Sequence, residues 1–405
     1  NQKKAMMQQS EKYSSRAGAL MGAFVNEEDW LNDVSYTDKL SKLTKKDIVD
    51  FANKYFGNNY VVVYKRKGED KNIIKVDKPT ITEVETNRNS QSQFAKTVIN
   101  MPVSPLKPVW LDYDKDIKKA NIGPAELMYI HNEENGLFRM AYRFRFGTWN
   151  DKKLGIAAQY LQFLGTDKTT AERISKDFYK LACSFNIRAD NEYTTVNIEG
   201  LQENFDAAVA LFEDLLTNCQ ADEVALVSLK ARINKSRADA KNNKGAIMQG
   251  LINYARYGSD NPFNNVLTNE ELSAITSAEL VTMLHNLGKY SHRVIYYGPA
   301  SMSTVTTSIG NVHKMPGMFQ AVAAPKLYTY TTQDKNQVLF ADYDMVQSEI
   351  RWVRNIPGYD PAKQPAIEMF NNYFGGGMGS LVFQTIRESK ALAYSTFAYY
   401  ITPDK

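Results

Sequence analysis

The spacing of apolar residues along the chain predicts a succession of helices and strands. Met6, Met7, Ala17, Leu20, Met21 and Phe24, set among Lys, Gln and Glu, predict a helix over residues 4–32. A second helix is predicted over 45–56, started by Thr44 as its cap and stopped by Gly57. The unbroken apolar run at 60–64 then reads as a buried strand. From residue 68 to 108 the periodicity vanishes, and Pro79, Pro102, Pro105 and Pro108 punctuate a polar stretch of linker composition. Order returns with a strand at 125–132, the turn Glu134-Asn135-Gly136, and an alternating strand at 137–146. There Phe138, Met140, Tyr142, Phe144 and Phe146 share one face, predicted to be buried, and Arg139, Arg143 and Arg145 share the other. Helices are predicted at 153–164 and 170–184, and strands at 185–190 and 193–199. An amphipathic helix follows at 203–218, with Phe205, Val209, Phe212 and Leu216 as its buried stripe. Further helices at 221–243, 246–256 and 277–287 precede a strand at 293–297. This order predicts an α+β fold, a mainly antiparallel sheet with helices packed on one face, and not a doubly wound parallel sheet.

An internal repeat gives the organisation. Leu43-Thr-Lys-Lys-Asp-Ile-Val-Asp-Phe leads to Tyr60-Val-Val-Val-Tyr64, and Ile275-Thr-Ser-Ala-Glu-Leu-Val-Thr-Met leads to His292-Arg-Val-Ile-Tyr296, in gap-free register. Each reads as a capped helix feeding a terminal strand, which points to duplication of whole modules. Residues 1–66 are then expected to be the tail of one module and 67–108 a linker. Residues 109–315 form a complete module, 316–335 a second linker, and 336–405 the opening of a further module, inside which the sequence stops.

Composition narrows the classes. The 405 residues are 43% hydrophobic, 23% charged and 12% aromatic, within the range of folded globular chains. A balance of 49 basic against 45 acidic residues is too mild for the concentrated basic footprint of a nucleic-acid binder. Two cysteines, Cys183 and Cys219, exclude a disulfide framework or a Cys-rich zinc module. No stretch approaches the roughly 20 apolar residues of a spanning helix. Lys3, Lys4 and the uncharged run at 17–25 suggest a leader, but Glu11, Lys12 and Arg16 break that pattern, and a helix is the better reading.

Candidate chemistry is sparse. None of the four histidines, His131, His285, His292 and His313, pairs with another at helical i, i+4 spacing, so no HExxH or HxxEH zinc site can be built. His131-Asn-Glu-Glu134 groups three ligand types, but at a strand end beside a turn it reads as a solvated turn. Cys183, beside Leu181 and Ala182, reads as core. No nucleophile elbow or phosphate loop is present. One segment stands apart. Gly375, Gly376 and Gly377 follow a helix begun near Pro365, and successive glycines permit positive φ and close backbone approach. Downstream, Arg387 and Tyr394 flank Lys390-Ala391-Leu392, with Arg387 expected at a helix end, Tyr394 opening the next strand, and a sharp link at Ala391 aiming both to one side.

The run from Tyr373 through Phe-Gly-Gly-Gly-Met-Gly-Ser-Leu-Val-Phe-Gln-Thr-Ile to Arg387, and on through Glu-Ser-Lys-Ala-Leu-Ala to Tyr394, resembles the signature of the C-terminal half of pitrilysin/insulinase-type zinc metallopeptidases, the inverzincins. Val346-Gln-Ser-Glu-Ile-Arg351 and Ile356-Pro-Gly-Tyr-Asp360 are similar to the strand and loop before it. Phe146-Gly-Thr-Trp-Asn-Asp151 resembles a module opening and Tyr257-Gly-Ser-Asp-Asn-Pro-Phe263 a mid-module loop. The resemblance implies repeated α+β modules, two per half, closing around a peptide, with zinc held by HxxEH in the first module and so outside this chain. Here Ala158, Leu161 and Gln162 occupy the motif positions, and Lys230, Arg232 and Lys235 cross the region of the distal Glu, so no metal is expected in this chain. Arg387 and Tyr394 align with residues that reach across to the peptide substrate, next to the Gly375, Gly376 and Gly377 turn. The implied partners are the N-terminal catalytic half, or a partner subunit, and a peptide, with no nucleic acid and no transmembrane segment in this chain. By resemblance this is the non-catalytic C-terminal part of a zinc endopeptidase, inactive alone, forming the chamber wall. The alternative is a catalytically dead scaffold or partner subunit. Some relatives point to the bacterial periplasm or cell envelope.

Overall fold

The computed structural model describes residues 1–68, 76–77, 80, 90–105, 107–356 and 358–401. Its centre is a six-stranded sheet built from β1 (Lys118–Ile122), β2 (Ala125–His131), β3 (Leu137–Phe144), β4 (Ser184–Ala189), β5 (Thr194–Leu201) and β6 (His292–Gly298), in the order β1-β2-β6-β3-β5-β4. Every neighbouring pair is antiparallel except β2 with β6. A parallel pair needs a long crossover, and here it is the whole run of chain between the two strands. The alternation read from the sequence sets the faces. Phe138, Met140, Tyr142 and Phe144 are buried, as is Phe146 just past the strand, while Arg139, Arg143 and Arg145 are exposed.

The buried face carries the helices α8 (Leu154–Leu161), α9 (Ala171–Lys180), α10 (Phe205–Asn218), α11 (Glu223–Lys241), α13 (Asn269–Ala274), α14 (Ser277–Asn286) and α15 (Met302–Val312), while α12 (Lys244–Tyr257) packs on α11 with no buried residue. Phe205, Val209, Phe212 and Leu216 of α10 join one continuous core with β3, β5 and β6. Each such side chain contributes about 1.5–3 kcal/mol by leaving water. Tyr160 ties α8 to the start of α11, its hydroxyl donating to the Asp222 carbonyl at 2.7 Å and accepting from the Asp222 amide at 2.8 Å.

Ahead of the sheet lie α1 (Gln2–Ser10), α2 (Tyr13–Val25), α3 (Trp30–Val34), α4 (Tyr36–Ser41) and α5 (Lys45–Tyr55). The single helix expected over 4–32 is therefore broken. Lys12 takes an extended conformation (φ −94°, ψ 122°) between α1 and α2. The break lets α1 lie on the outer face of the sheet by itself. Met7 packs on Leu137, Ala182 and Leu201, Gln8 meets Glu199, and Glu11 pairs with Arg139. The short helix α6 (Gln93–Ile99), capped by Ser92, interrupts the stretch expected to be linker, and α7 (Tyr113–Asp116), capped by Asp112, lies at the start of the module expected from residue 109.

The buried strand expected at 60–64 does not form. These residues are exposed, Val61 at 91%. A strand is buried only when a neighbour completes its ladder and a layer covers its face, and among the described residues nothing pairs with this run. The strand expected near 346–351 is likewise irregular chain. The helical half of the repeat does match in detail. Thr44 caps α5 by accepting from the Asp47 amide, and Thr276 caps α14 by accepting from the Glu279 amide, with an acidic residue at the same turn position in each.

Candidate functional site in the C-terminal segment

Asp360 caps the turn that opens the segment, its carboxylate accepting from the Ala362 amide at 3.0 Å, and α16 (Gln364–Phe374) follows with Pro365 in its first turn. The helix stops at Gly375 because the chain's tail returns there. A Cβ on Gly375 would collide with the Ala398 backbone, and one on Gly376 would meet the Asn371 carbonyl oxygen at 2.8 Å, whereas Gly377 faces open space. None of the three has positive φ. Close approach is what this turn uses, and the left-handed conformation is not. Asn371 fixes the tail from the side, donating to the Tyr400 carbonyl at 2.9 Å and accepting from the Tyr400 amide at 2.6 Å.

Beyond the glycines, Ser380 is buried and its amide donates to the Gly377 carbonyl at 3.0 Å, while the Gln384 side chain donates to the Met378 carbonyl at 2.6 Å. The chain then winds into a wide π-type turn, Phe383–Ser389. Ala391 reverses it with φ +49°, its amide donating to the Arg387 carbonyl at 3.1 Å, and the Leu392 amide donates to the Ile386 carbonyl at 3.0 Å. Tyr394 consequently comes back over Arg387. The guanidinium carbon lies 5.3 Å from the Tyr394 ring centroid and 4.6 Å from that of Phe383, four residues earlier. Cation–π contacts of this kind are worth about 0.5–1 kcal/mol at exposed sites. Arg387 Nε is 3.7 Å from the Glu388 carboxylate, and its side chain is 34% exposed. Tyr394 is 83% exposed and lies in irregular chain, not in the strand expected to start there. The result is two hydrogen-bond donors on one ridge: a half-buried guanidinium resting on ring faces beside the Glu388 carboxylate, and an exposed phenol next to it.

Residues read as a degenerate metal motif sit elsewhere. Ala158 and Leu161 are buried core residues of α8, and Gln162 is exposed at its C-terminal end. The basic residues of α11 serve structure. Lys230 donates to the Ser273 and Ile275 carbonyls at the end of α13, at 2.8 and 2.7 Å, Arg232 lies over Phe163, and Lys235 pairs with Asp239. His131 is exposed, with Nδ1 3.0 Å from the Tyr129 hydroxyl. Its neighbour Asn132 is buried and builds the turn, accepting from the Glu134 amide and donating to the Leu137 carbonyl. One histidine pair lies outside any helical i, i+4 spacing: His292 and His313 meet in the core, Nε2 to Nε2 at 2.9 Å. No sequence spacing signals this, since α15 must fold back before the two can touch.

Two family models match this chain. Residues 150–270 match the insulinase peptidase family M16, and residues 306–405 match the peptidase M16 inactive domain. Together they span more than half of the chain. The chain belongs to the insulinase-type M16 peptidase family, in its C-terminal half. It is 23% identical over 256 residues to the uncharacterized zinc protease YmxG of Bacillus subtilis, covering 60% of this chain and 58% of that one. It is 24% identical over 270 residues to an uncharacterized zinc protease of Rickettsia felis, covering 62% and 61%. This M16 chain thus spans about three-fifths of the length of those relatives. Its fold is similar to the crystal structure of a peptidase M16 inactive domain from Pseudomonas fluorescens, with a TM-score of 0.51, 16% identity and 71% of each chain covered. It is equally similar to a protease from Helicobacter pylori, with a TM-score of 0.52, 14% identity and 71% of each chain covered. The relatives' names carry zinc, but the residues here do not fit it. Ala158 and Leu161 offer no ligand atom, and among the described residues no group of three or more His, Cys, Asp or Glu side chains is placed to hold a metal ion. No helix among the described residues is long and apolar enough to cross a membrane.

Proposed function

We propose that this chain is the non-catalytic part of a zinc-dependent endopeptidase, forming one wall of a substrate chamber and donating hydrogen bonds from Arg387 and Tyr394 to a peptide held at the catalytic half. The observation that carries this reading is the meeting of Arg387 with Tyr394 on one ridge across the Ala391 reversal. During attack on a peptide bond, charge builds on the carbonyl oxygen. A guanidinium and a phenol fixed in advance stabilise that charge more than they stabilise the neutral substrate. Arg is suited to this because its N–H edges stay charged and planar while its face rests on the rings. Gly375 contributes indirectly, by letting the tail at Ala398 pass close enough to hold Tyr394's neighbourhood against α16. Zinc, with its chemistry of water activation, belongs to the partner half, and no step of it falls to this chain's residues.

The test is steady-state kinetics on the chain assembled with its zinc-bearing half. Arg387→Ala and Tyr394→Phe should each lower kcat by on the order of 10²–10³-fold, with a smaller change in KM. The double variant should lose less than the product of the singles. Unchanged kcat in both singles, at matched folded content, would assign the pair to scaffolding and leave the chain a structural partner subunit.

A further inference from the structure

Two histidines distant in sequence meet inside the core of the sheet and its helices. His292 opens β6, and His313 follows α15 just before the chain departs into residues 316–335. Both are buried. Their Nε2 atoms are 2.9 Å apart, His313 Nδ1 is 2.9 Å from the buried carboxylate of Glu213 on α10, and His292 Nδ1 is 2.8 Å from the Tyr290 carbonyl oxygen. Tyr142 of β3 stacks on His313 at 4.3 Å between centroids, and Phe144 and Phe319 pack on the His292 ring at 4.6 and 5.1 Å.

The hydrogen-bond inventory places the protons. A carbonyl oxygen only accepts, so His292 Nδ1 carries its hydrogen and, in the neutral ring, Nε2 is bare. His313 Nε2 must therefore donate to it. His313 Nδ1 then faces the Glu213 carboxylate, and two lone pairs at that distance would repel, so one proton lies between them. A bridging metal does not suit the pair. Two bonds of about 2.0–2.1 Å at a tetrahedral angle separate the nitrogens by about 3.3 Å, and a site needs further ligands, whereas the measured gap is that of an N–H···N bond.

One more proton, on His292 Nε2, has no place: it would oppose the N–H already coming from His313. Burial pushes the His292 pKa down to about 4, the hydrogen bond to the Tyr290 carbonyl works against this, and the neighbouring His313 adds to the lowering. The titratable groups facing the pair are Glu213 from α10 and Tyr142 from β3, the latter's phenol held neutral by complete burial. Phe144 and Phe319 supply apolar walls. Phe319 also belongs to the departing segment, which is fastened nearby. The Gln320 amide donates to the Lys289 carbonyl at 2.9 Å, Asn150 donates to the Ala323 carbonyl at 2.7 Å, and the Lys326 amide donates to the Trp149 carbonyl at 2.8 Å.

We propose that Glu213, His313 and His292 form a proton-locked clamp that seats residues 313–326 while His292 is neutral and releases them, with the sheet intact, when acid protonates His292. The release has a direction. An imidazolium at His292 needs an acceptor or water, and the half-buried ring of Phe319 is the wall nearest to solvent.

Hydrogen exchange read by mass spectrometry on the full chain, near neutral pH and at about pH 4.5, tests this after correction for intrinsic chemistry. Peptides across 313–326 should exchange at least about tenfold faster in acid and lose most of their protection, while those across β5 stay slow because the sheet remains folded, and His292→Phe should abolish the acid response. Loss of measurable protection in both regions, or an acid response that survives His292→Phe, would overturn the clamp. Ring nitrogen-15 shifts of the unmodified protein give a second reading that needs no variant: His292 protonated on Nδ1 and bare on Nε2, His313 protonated on Nε2. The opposite tautomer at His292 would also overturn it.

Discussion

Gly375 and Ala398 touch through their backbones so closely that no β-carbon fits between them. This contact joins the end of α16 to the tail that follows Tyr394. Gly375→Ala should therefore cost about 1–3 kcal/mol, since the tail must move to admit the methyl group. Gly377→Ala meets nothing and has no positive φ, so it should be neutral or stabilise by about 0.4–1 kcal/mol. Urea unfolding of the two variants, compared with the parent, reads the difference.

Ala391 holds the other end of the site with φ +49°. A non-glycine residue in that conformation costs about 1–2 kcal/mol. Ala391→Gly should relieve that strain and raise stability by up to about 1 kcal/mol. Ala391→Val should do the reverse and, by opening the reversal, separate Tyr394 from Arg387. Thermal unfolding checks both, and quenching of tyrosine emission in the segment checks the second.

Acid should weaken the fold through His292, and the sign follows from its lowered pKa. The unfolded chain binds a proton near pH 6.5, whereas the folded one resists until about pH 4. Stability is complete above pH 6.5 and falls as pH drops towards 4, by about 3 kcal/mol at about 1.4 kcal/mol per pH unit. Urea titrations across this window should show that slope, and His292→Phe should flatten it whatever its own stability.

The cap shared by the two repeat helices gives a smaller effect. Thr276→Ala removes the acceptor for the Glu279 amide and should cost about 1 kcal/mol. Denaturation midpoints at constant m-value measure it.

What the sequence made legible was whatever depends on one-dimensional period. The buried even-numbered face of β3, its outward arginines, the stripe of α10 and the Thr caps all follow from local spacing and short-range bonds. What it hid depends on neighbours. Residues 60–64 have a strand's composition but, among the described residues, no adjoining strand, and 4–32 a helix's periodicity but a break at Lys12 that allows Met7 to reach the sheet. The approach of Tyr394 to Arg387 could be anticipated only from the link at Ala391, and the close backbone approach expected at the glycines could not be given its partner, because Ala398 lies far beyond them in sequence. The His292–His313 pair had no linear trace at all.

The parallel pairing of β2 with β6 also sets the order in which this sheet can be completed. Until His292–Gly298 arrives, β1 and β2 form a lone hairpin, and β3, β5 and β4 a separate three-stranded sheet. Each then presents an open edge along what becomes the middle of the finished sheet. Contacts so distant in sequence form slowly, because the intervening loop must close first. On a ribosome, which releases about 5–20 residues per second, the two fragments wait for many seconds with their edges bare. Stalling or truncation just short of β6 leaves a chain poised to pair with its neighbours instead of with itself.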